Sequence, residues 1–395
     1  MIADAISNPT GPLELTILMP CLNEAQTLAV CIRKAQGFIQ DSDVEAEILI
    51  ADNGSTDGSQ QIACDLGVRV VPVPVPGYGA ALYHGAIAAR GRFIVMGDAD
   101  DSYDFGETGP LLARLRQGAD LVMGNRFRGG IRPGAMPWKN RYIGNPILSA
   151  IGQLLFRCPA KDFHCGLRGF SAEAFRRMDL RTTGMEFASE MVIKATLLKM
   201  RIQETPVTLS PDGRNRPPHL RPWRDGWRHL RFMLLFSPRW LLLYPGLLLT
   251  LVGLGGVTRL MLGPLHLGAV TLSMHTMVGF ASMVMIGFQV TLFSLFARIF
   301  AFEEGLLPED QTLKRLYSLF TLEKGLILGV ILLLAGLALG MRSVAGWAGH
   351  HFGNLDPEHV MRLVIPATML VTVGVQTIFS SFFFSILGLR LRFRR

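Results

Sequence analysis

The sequence predicts a chain in two parts: an α/β domain built on a mostly parallel sheet with helices on both faces, then an α-helical membrane domain of four spans. Two observations carry that expectation. Short apolar runs alternate with stretches of helical period up to about Ser237, the pattern of strands joined by crossover helices. Beyond Trp240 the chain becomes a series of long apolar segments, each long enough to cross a bilayer. A length of 395 residues accommodates both parts, and the boundary falls between domains 1–236 and 237–395.

The strands follow in order. Leu15 to Met19 reads as a buried strand ended by Pro20. Asn23 and Glu24 then open a helix whose apolar positions Leu28, Cys31, Ile32, Ala35 and Phe38 recur at helical spacing. Glu47 to Ala51 is the second strand, and it runs into Asp52-Asn-Gly-Ser-Thr-Asp-Gly58. That run suits a turn into a helix: glycine supplies unusual backbone angles, while Ser, Thr and Asp cap. Val68 to Val75, Arg92 to Met96 and Leu121 to Met123 complete five strands. Between Trp138 and Arg157, the residues Ile143, Ile147, Leu148, Ile151, Leu154 and Leu155 recur at helical spacing, with Lys139 and Arg141 at the start. A core helix would show this pattern; so would a helix lying in the membrane interface, the reading preferred here.

The formal net charge is +8. Its densest basic run holds Arg214, Arg216, Arg221, Arg224, Arg228, Arg231 and Arg239, interleaved with Trp223, Trp227 and Trp240. Cations and indole rings just before an apolar span describe a segment at an anionic membrane surface, and nucleic acid is the disfavoured partner. The spans are expected at about 240–262, 269–297, 324–346 and 362–389. Lys314, Arg315 and the tail ending Arg394-Arg395 place positive charge at alternate connections, so both termini and the middle connection, and with them the first domain, should be cytoplasmic. Met1 to Gly11 shows no signal-peptide pattern, in keeping with that orientation. Few ionisable residues lie inside the spans, which argues against a transporter. Gly336 and Gly340 have the spacing of a helix-packing pair, though glycine is common enough in membrane helices for chance to give it. The five cysteines, odd in number and without Cys-x-x-Cys spacing, argue against a disulfide framework or a zinc site; His164-Cys165 reads as ordinary packing rather than a pair of metal ligands.

The chemistry sits at strand ends. Asp98 and Asp100 follow the fourth strand after a single glycine. Two carboxylates so placed suit a hard divalent cation, Mg²⁺ or Mn²⁺, whose remaining ligands come from substrate phosphates. In a parallel sheet the clusters Pro20/Asn23/Glu24, Asp52/Asn53 and Asp98/Asp100 lie along one edge, where open α/β sheets bind ligands. Asp52 can accept hydrogen bonds from a base or ribose. The first strand is followed by Pro20-Cys-Leu-Asn-Glu24, without the glycines of a dinucleotide fold, so a dehydrogenase is disfavoured.

Pro20-x-x-Asn23-Glu24, Asp52-Asn-Gly-Ser-Thr-Asp57 and Asp98-Ala-Asp100, in this order over about residues 14 to 210, resemble the family 2 glycosyltransferases of GT-A fold. With membrane spans only after them, the chain is similar to dolichyl-phosphate mannose synthase and the polyprenyl-phosphate glucosyltransferases. The resemblance implies a nucleotide-sugar donor and a polyprenyl or dolichyl phosphate acceptor drawn from membrane lipid. It assigns donor binding to Pro20, Asn23, Glu24, Asp52 and Asp98, and the metal to Asp98 and Asp100. Arg126, Arg141 and Asn145 would grip the acceptor phosphate, with Asp100, Arg126 and Arg141 counted as catalytic; Arg214 and Arg216 would close over the donor diphosphate. An oligomer is left open. Such enzymes often carry Gln after Asp-Ala-Asp-Leu, assisting the metal; here Ser102 stands there, which puts its part in metal binding in question. Glu186 and Glu190 share a helical face, and Glu186 is read as supporting rather than catalytic. The alternatives are a processive polysaccharide synthase, disfavoured because Phe236 replaces the Gln of a Gln-x-x-Arg-Trp motif, a glycolipid-forming transferase, and a sugar-nucleotide-binding membrane scaffold.

Overall fold

The computed structural model describes residues 13–214, 222–304, 307, 321–354 and 356–393. The opening segment, Arg216, Arg221, Lys314, Arg315, Arg394 and Arg395 lie outside the described residues. The chain forms two compact units, the first ending at Met233 and the second starting at Leu234.

The first unit is built on a seven-stranded sheet. Its strands are β1 (Leu15–Cys21), β2 (Ala46–Asp52), β3 (Arg69–Pro72), β4 (Phe93–Met96), β5 (Leu121–Asn125), β6 (Arg168–Ser171) and β7 (Ile202–Pro206), in the spatial order β3-β2-β1-β4-β6-β5-β7. The pairings β1–β2, β1–β4, β2–β3 and β5–β7 are parallel, and β6 runs antiparallel between β4 and β5. The sheet is therefore mostly parallel, as expected. Five strands were expected at these places, and the third is shorter than Val68 to Val75. Pro72, Pro74 and Pro76 lack the N–H that a ladder needs, so pairing stops at Asp52 with Pro72. Strands β6 and β7 were not foreseen. Arg-Gly-Phe-Ser and Ile-Gln-Glu-Thr-Pro carry too little apolar pattern to read as strands.

Helices α1 (Leu28–Asp41), α2 (Ser59–Asp65), α3 (Tyr78–Ala88) and α4 (Gly109–Arg116) join the strands. The core-facing stripe of α1 is Leu28, Cys31, Ile32 and Ala35, as the helical spacing requires. These side chains meet Leu15, Ile17 and Met19 of β1 and Ile48 and Ile50 of β2 in one continuous core. A single turn, α5 (Arg126–Gly129), leaves β5, and α6 (Asn145–Phe156) follows a wider turn over Asn140–Gly144. Helices α7 (Ala172–Met178), α8 (Phe187–Leu197) and α9 (Pro222–Leu235) complete the α/β part.

In the second unit, four helical stretches are long and apolar enough to cross a membrane: Arg239–Met261, Met274–Glu303, Leu322–Gly349 and Pro357–Leu387. The second begins at Met274 and not near residue 269, because β8 (Leu265–Leu267) and β9 (Val270–Leu272) form a hairpin there. Gly268, at φ +59°, takes the left-handed conformation that a two-residue hairpin loop demands. Of the pair Gly336 and Gly340, only the first is at a helix contact: a Cβ on Gly336 would lie 2.7 Å from Val371 N, while Gly340 faces open space.

Candidate active site

The strand ends expected to converge do so. Parallel pairing sets Cys21 beside Asp52 and Leu18 beside Met96, so β1, β2 and β4 release their chains along one edge of the sheet. Pro20 sits in β1 beside Ala51, beyond the last β1–β4 pair at Leu18, where its missing N–H costs no bond on that side. The loop after β1 is stitched to the loop after β2. Asn23 N and Glu24 N donate to Ser55 Oγ and Ser59 Oγ, both at 2.9 Å, and Asn23 Oδ1 accepts from Thr56 N at 2.8 Å. Asn23 itself is left-handed, at φ +59°, a conformation asparagine tolerates better than most residues.

Asp52 is buried at the end of β2. Its Oδ2 accepts from Gly54 N and Ser55 N, each at 3.1 Å, and from Gln60 Nε2 at 2.6 Å. Its Oδ1 is buried without a hydrogen-bond partner. An unpaired buried carboxylate oxygen is costly, and the cost is recovered when a ligand supplies an N–H or O–H. From the same loop, Asn53 Oδ1 accepts from Gly77 N at 2.7 Å, which seats the start of α3. The next residue, Tyr78, donates its hydroxyl to Asp98 Oδ1 at 2.9 Å.

Asp98 and Asp100 follow β4. Burial first, then the Asp100 carboxylate beside it, push the Asp98 carboxyl up to about 6, and the Tyr78 hydrogen bond partly offsets this. Asp100 Oδ1 accepts from Ser102 N at 3.0 Å and Ser102 Oγ at 2.5 Å, and its Oδ2 accepts from Arg214 Nη2 at 2.7 Å. Ser102 thus orients Asp100. Arg214 also reaches Glu24 Oε1 and Asp212 Oδ2, both at 3.1 Å. One guanidinium therefore closes Glu24, Asp100 and Asp212 into a ring, and it meets the demand of this acidic edge for positive charge. Gly213 N donates to Asp100 O at 2.9 Å and fixes the loop's approach. Among the described residues no cluster of three or more His, Cys, Asp or Glu side chains could hold a metal alone. The donor set that exists, two aspartates one residue apart, fits a hard cation whose coordination a bound diphosphate completes.

The acceptor side differs from expectation. Arg126, expected to grip a phosphate, is buried and bound to Asp162: Nε donates to Oδ2 at 2.8 Å and Nη2 to Oδ1 at 2.7 Å. A guanidinium held bidentate by a buried carboxylate has its strongest donors committed. Arg141 lies half-buried in the turn before α6, its guanidinium 5.4 Å from the ring centre of Tyr142. Asn145 is one turn further on and donates to Met136 Sδ at 3.3 Å. Helix α6 exposes Ile147 and Leu154, and Ile143 and Trp138 are exposed just before it, so an apolar face is left uncovered here. Glu190 is buried in an ion pair with Lys194 at 3.0 Å and accepts from Thr182 N and Oγ1. Arg216 lies outside the described residues.

Several residues of the site escaped sequence reasoning. Asp212, Tyr78 and Gly166 carry no local signal. Gly166 donates its N–H to Tyr103 Oη at 2.9 Å, and a Cβ on it would fall 2.8 Å from Asp98 Oδ2, so a side chain here would displace the Asp98 carboxylate.

Comparison with known proteins agrees with this architecture. Residues 16–179 match the family "Glycosyl transferase family 2" and residues 295–388 match "Glycosyltransferase family 2 C-terminal transmembrane region". The "Low-salt glycan biosynthesis hexosyltransferase Agl6" of Haloferax volcanii is 36% identical over 387 residues, covering 98% of this chain and 91% of that protein. The "Glycosyltransferase AglJ" of the same organism is 32% identical over 218 residues, covering 54% of this chain and 69% of that protein. A crystal structure of glucosyl-3-phosphoglycerate synthase from Mycobacterium tuberculosis superposes with a TM-score of 0.45 at 22% identity, over 56% of this chain and 79% of that one. The similarity to the hexosyltransferase runs through the α/β unit and all four apolar helices, and with it the chain belongs to glycosyltransferase family 2.

Proposed function

We propose that the protein moves a hexose from a nucleotide sugar to a polyprenyl or dolichyl phosphate at the cytoplasmic membrane face, by a single inverting displacement. The observation that carries the donor half is the acidic edge itself: Asp98 beside Asp100, Asp100 tied through Arg214 to Glu24, and Asp52 with a buried oxygen awaiting a donor. Asp52 accepts from the base or ribose, and Asn23, Glu24 and the Pro20 turn shape that pocket. Asp98 and Asp100 would hold Mg²⁺ or Mn²⁺, which would supply charge neutralisation to the leaving diphosphate. Tyr78 and Ser102 hold the two carboxylates in place. Arg214 pairs with the diphosphate once the donor enters, the role that the resemblance also gives to Arg216.

The acceptor half rests on the exposed apolar face of α6 and on Arg141 and Asn145 at its start. A phosphate monoester has its second pKa near 6 and is already nucleophilic at neutral pH, so no side-chain base is required. Arg141 orients it by charge-assisted hydrogen bonding, and most of the acceleration is positioning and electrostatics. The hexose fits the name of the 36% identical relative, and UDP-glucose and GDP-mannose are the donors to test first.

Purified full-length protein should gain thermal stability from one nucleotide sugar, and only with Mn²⁺ present. Asp52→Asn should weaken that donor at least about tenfold, roughly 1.4 kcal/mol, because an amide N–H then faces the donor's N–H. Stabilisation by the donor that is identical in Asp52→Asn and wild type would refute the assignment. Gly166→Ala should displace Asp98 and weaken Mn²⁺ at least about tenfold, roughly 1.4 kcal/mol. Circular dichroism should remain that of wild type, and unchanged Mn²⁺ affinity would count against the site.

A further inference from the structure

Two histidines outside the donor site share one buried hydroxyl. Ser189, fully buried on α8, places its Oγ 2.8 Å from His229 Nδ1 and 3.5 Å from His164 Nε2. The two imidazole rings meet edge to face, with centroids 4.7 Å apart. Among the described side chains of α9, His229 and, one turn on, Met233 are buried, whereas Arg224, Trp227, Arg228 and Arg231 are exposed. The basic, indole-bearing helix expected to lie on the membrane is therefore fastened to the α/β unit through His229.

The other imidazole leads to the metal-binding edge. His164 stands two residues before Gly166, whose backbone is pressed against Asp98. Between them, Cys165 O accepts from Arg168 Nε at 3.0 Å and Nη2 at 2.7 Å, while Arg168 Nη1 donates to Ala188 O at 2.7 Å, the residue before Ser189. Loop 162–167 and the start of α8 are thus clamped together, and His229 closes the clamp from α9. Burial, then His229, Arg126 and Arg168, push His164 well below the usual histidine range; of the two arginines, Arg126 is already paired with Asp162.

We propose that His229 is a positioning residue: seating of α9 through Ser189 and His164 sets the loop that backs Asp98, so the cation site is complete only when α9 is docked. This rests on reading Asp98 and Asp100 as that site.

The test uses the full chain in lipid nanodiscs, with Mn²⁺ affinity read by electron paramagnetic resonance and backbone amide exchange read by mass spectrometry. His229→Leu should raise the Mn²⁺ dissociation constant at least about tenfold (roughly 1.4 kcal/mol) and speed exchange in 162–168 and 222–235. Exchange in β1 and β2 should not change. His229→Asn, whose amide mimics Nδ1, should stay within about threefold (roughly 0.7 kcal/mol) of wild type. Faster exchange in 222–235 with Mn²⁺ affinity and 162–168 unaltered would overturn the proposal. So would equal losses in the Leu and Asn variants, or loosening of β1 and β2, since each marks plain packing. If wild type binds no Mn²⁺, the metal reading itself fails, and exchange at 162–168 alone then decides whether α9 controls the loop. Should His229→Leu not fold, the Asn variant decides by keeping or losing wild-type affinity.

Discussion

Asp100→Asn is expected to cut sugar transfer roughly 10³-fold, about 4 kcal/mol of transition-state stabilisation, while leaving the fold intact. The two halves of that expectation have separate causes. Asp100 Oδ1 is held by Ser102 N and Oγ, and Oδ2 by Arg214. An asparagine oxygen can still accept from Ser102, so the turn after β4 survives. What is lost is charge. The amide offers a neutral oxygen to a hard cation, and its NH₂ faces the Arg214 guanidinium, which loses a short ion pair. The departing diphosphate then gathers negative charge with less to offset it. Washed membranes given labelled nucleotide sugar and polyprenyl phosphate provide the measurement. Wild type should make a labelled lipid, lose that activity in a chelator and recover it with Mn²⁺; the variant should make almost none under any of these conditions. Transfer that persists in Asp100→Asn, or that ignores the chelator, would remove the cation from the mechanism. No labelled lipid from wild type with any common donor would favour a sugar-nucleotide-binding scaffold.

The residues of this edge were legible because each sits at a strand end, and strand ends announce themselves. A run such as Ile-Leu-Ile-Ala-Asp-Asn-Gly switches from apolar period to turn chemistry at Asp52, and the parallel sheet carries every such switch to one side. The membrane helices were legible for a simpler reason: length and hydropathy suffice. The hairpin at 265–272 escaped because its few residues are as apolar as the helices beside it. Non-local partners left no local mark. Asp162 lies 36 residues from Arg126, and Arg168 takes main-chain carbonyls as its acceptors. Sequence period tells which face a residue occupies, but not which side chain from another element has already claimed its charge. Arg126 was therefore read as an available cation when its partner was supplied by a loop of no regular pattern.

Arg126 gives the second large effect, and it concerns stability. Asp162→Ala should destabilise the α/β unit by about 3–5 kcal/mol, because removing one member of a buried pair leaves the other charge uncompensated. Asp162 is fully buried, and its oxygens accept Arg126 Nε, Nη2 and the backbone N–H at 2.7–2.9 Å. Arg126→Met with Asp162→Leu should recover part of the loss, since the costly species is a single buried charge and not the absence of the pair. Thermal unfolding of the purified full chain, followed by near-ultraviolet circular dichroism, would rank the variants. Asp162→Ala should melt well below wild type, with the double variant between them. The competing account of Arg126, a guanidinium that grips the acceptor phosphate, makes the opposite forecast. On that account Arg126→Met would raise the acceptor KM strongly with little change in melting temperature, and Asp162→Ala would be mild. A lowered melting temperature in both single variants, with the acceptor KM altered far more by Arg141→Met than by any change at Arg126 that leaves the unit folded, would show that Arg126 holds the loop and Arg141 meets the lipid phosphate.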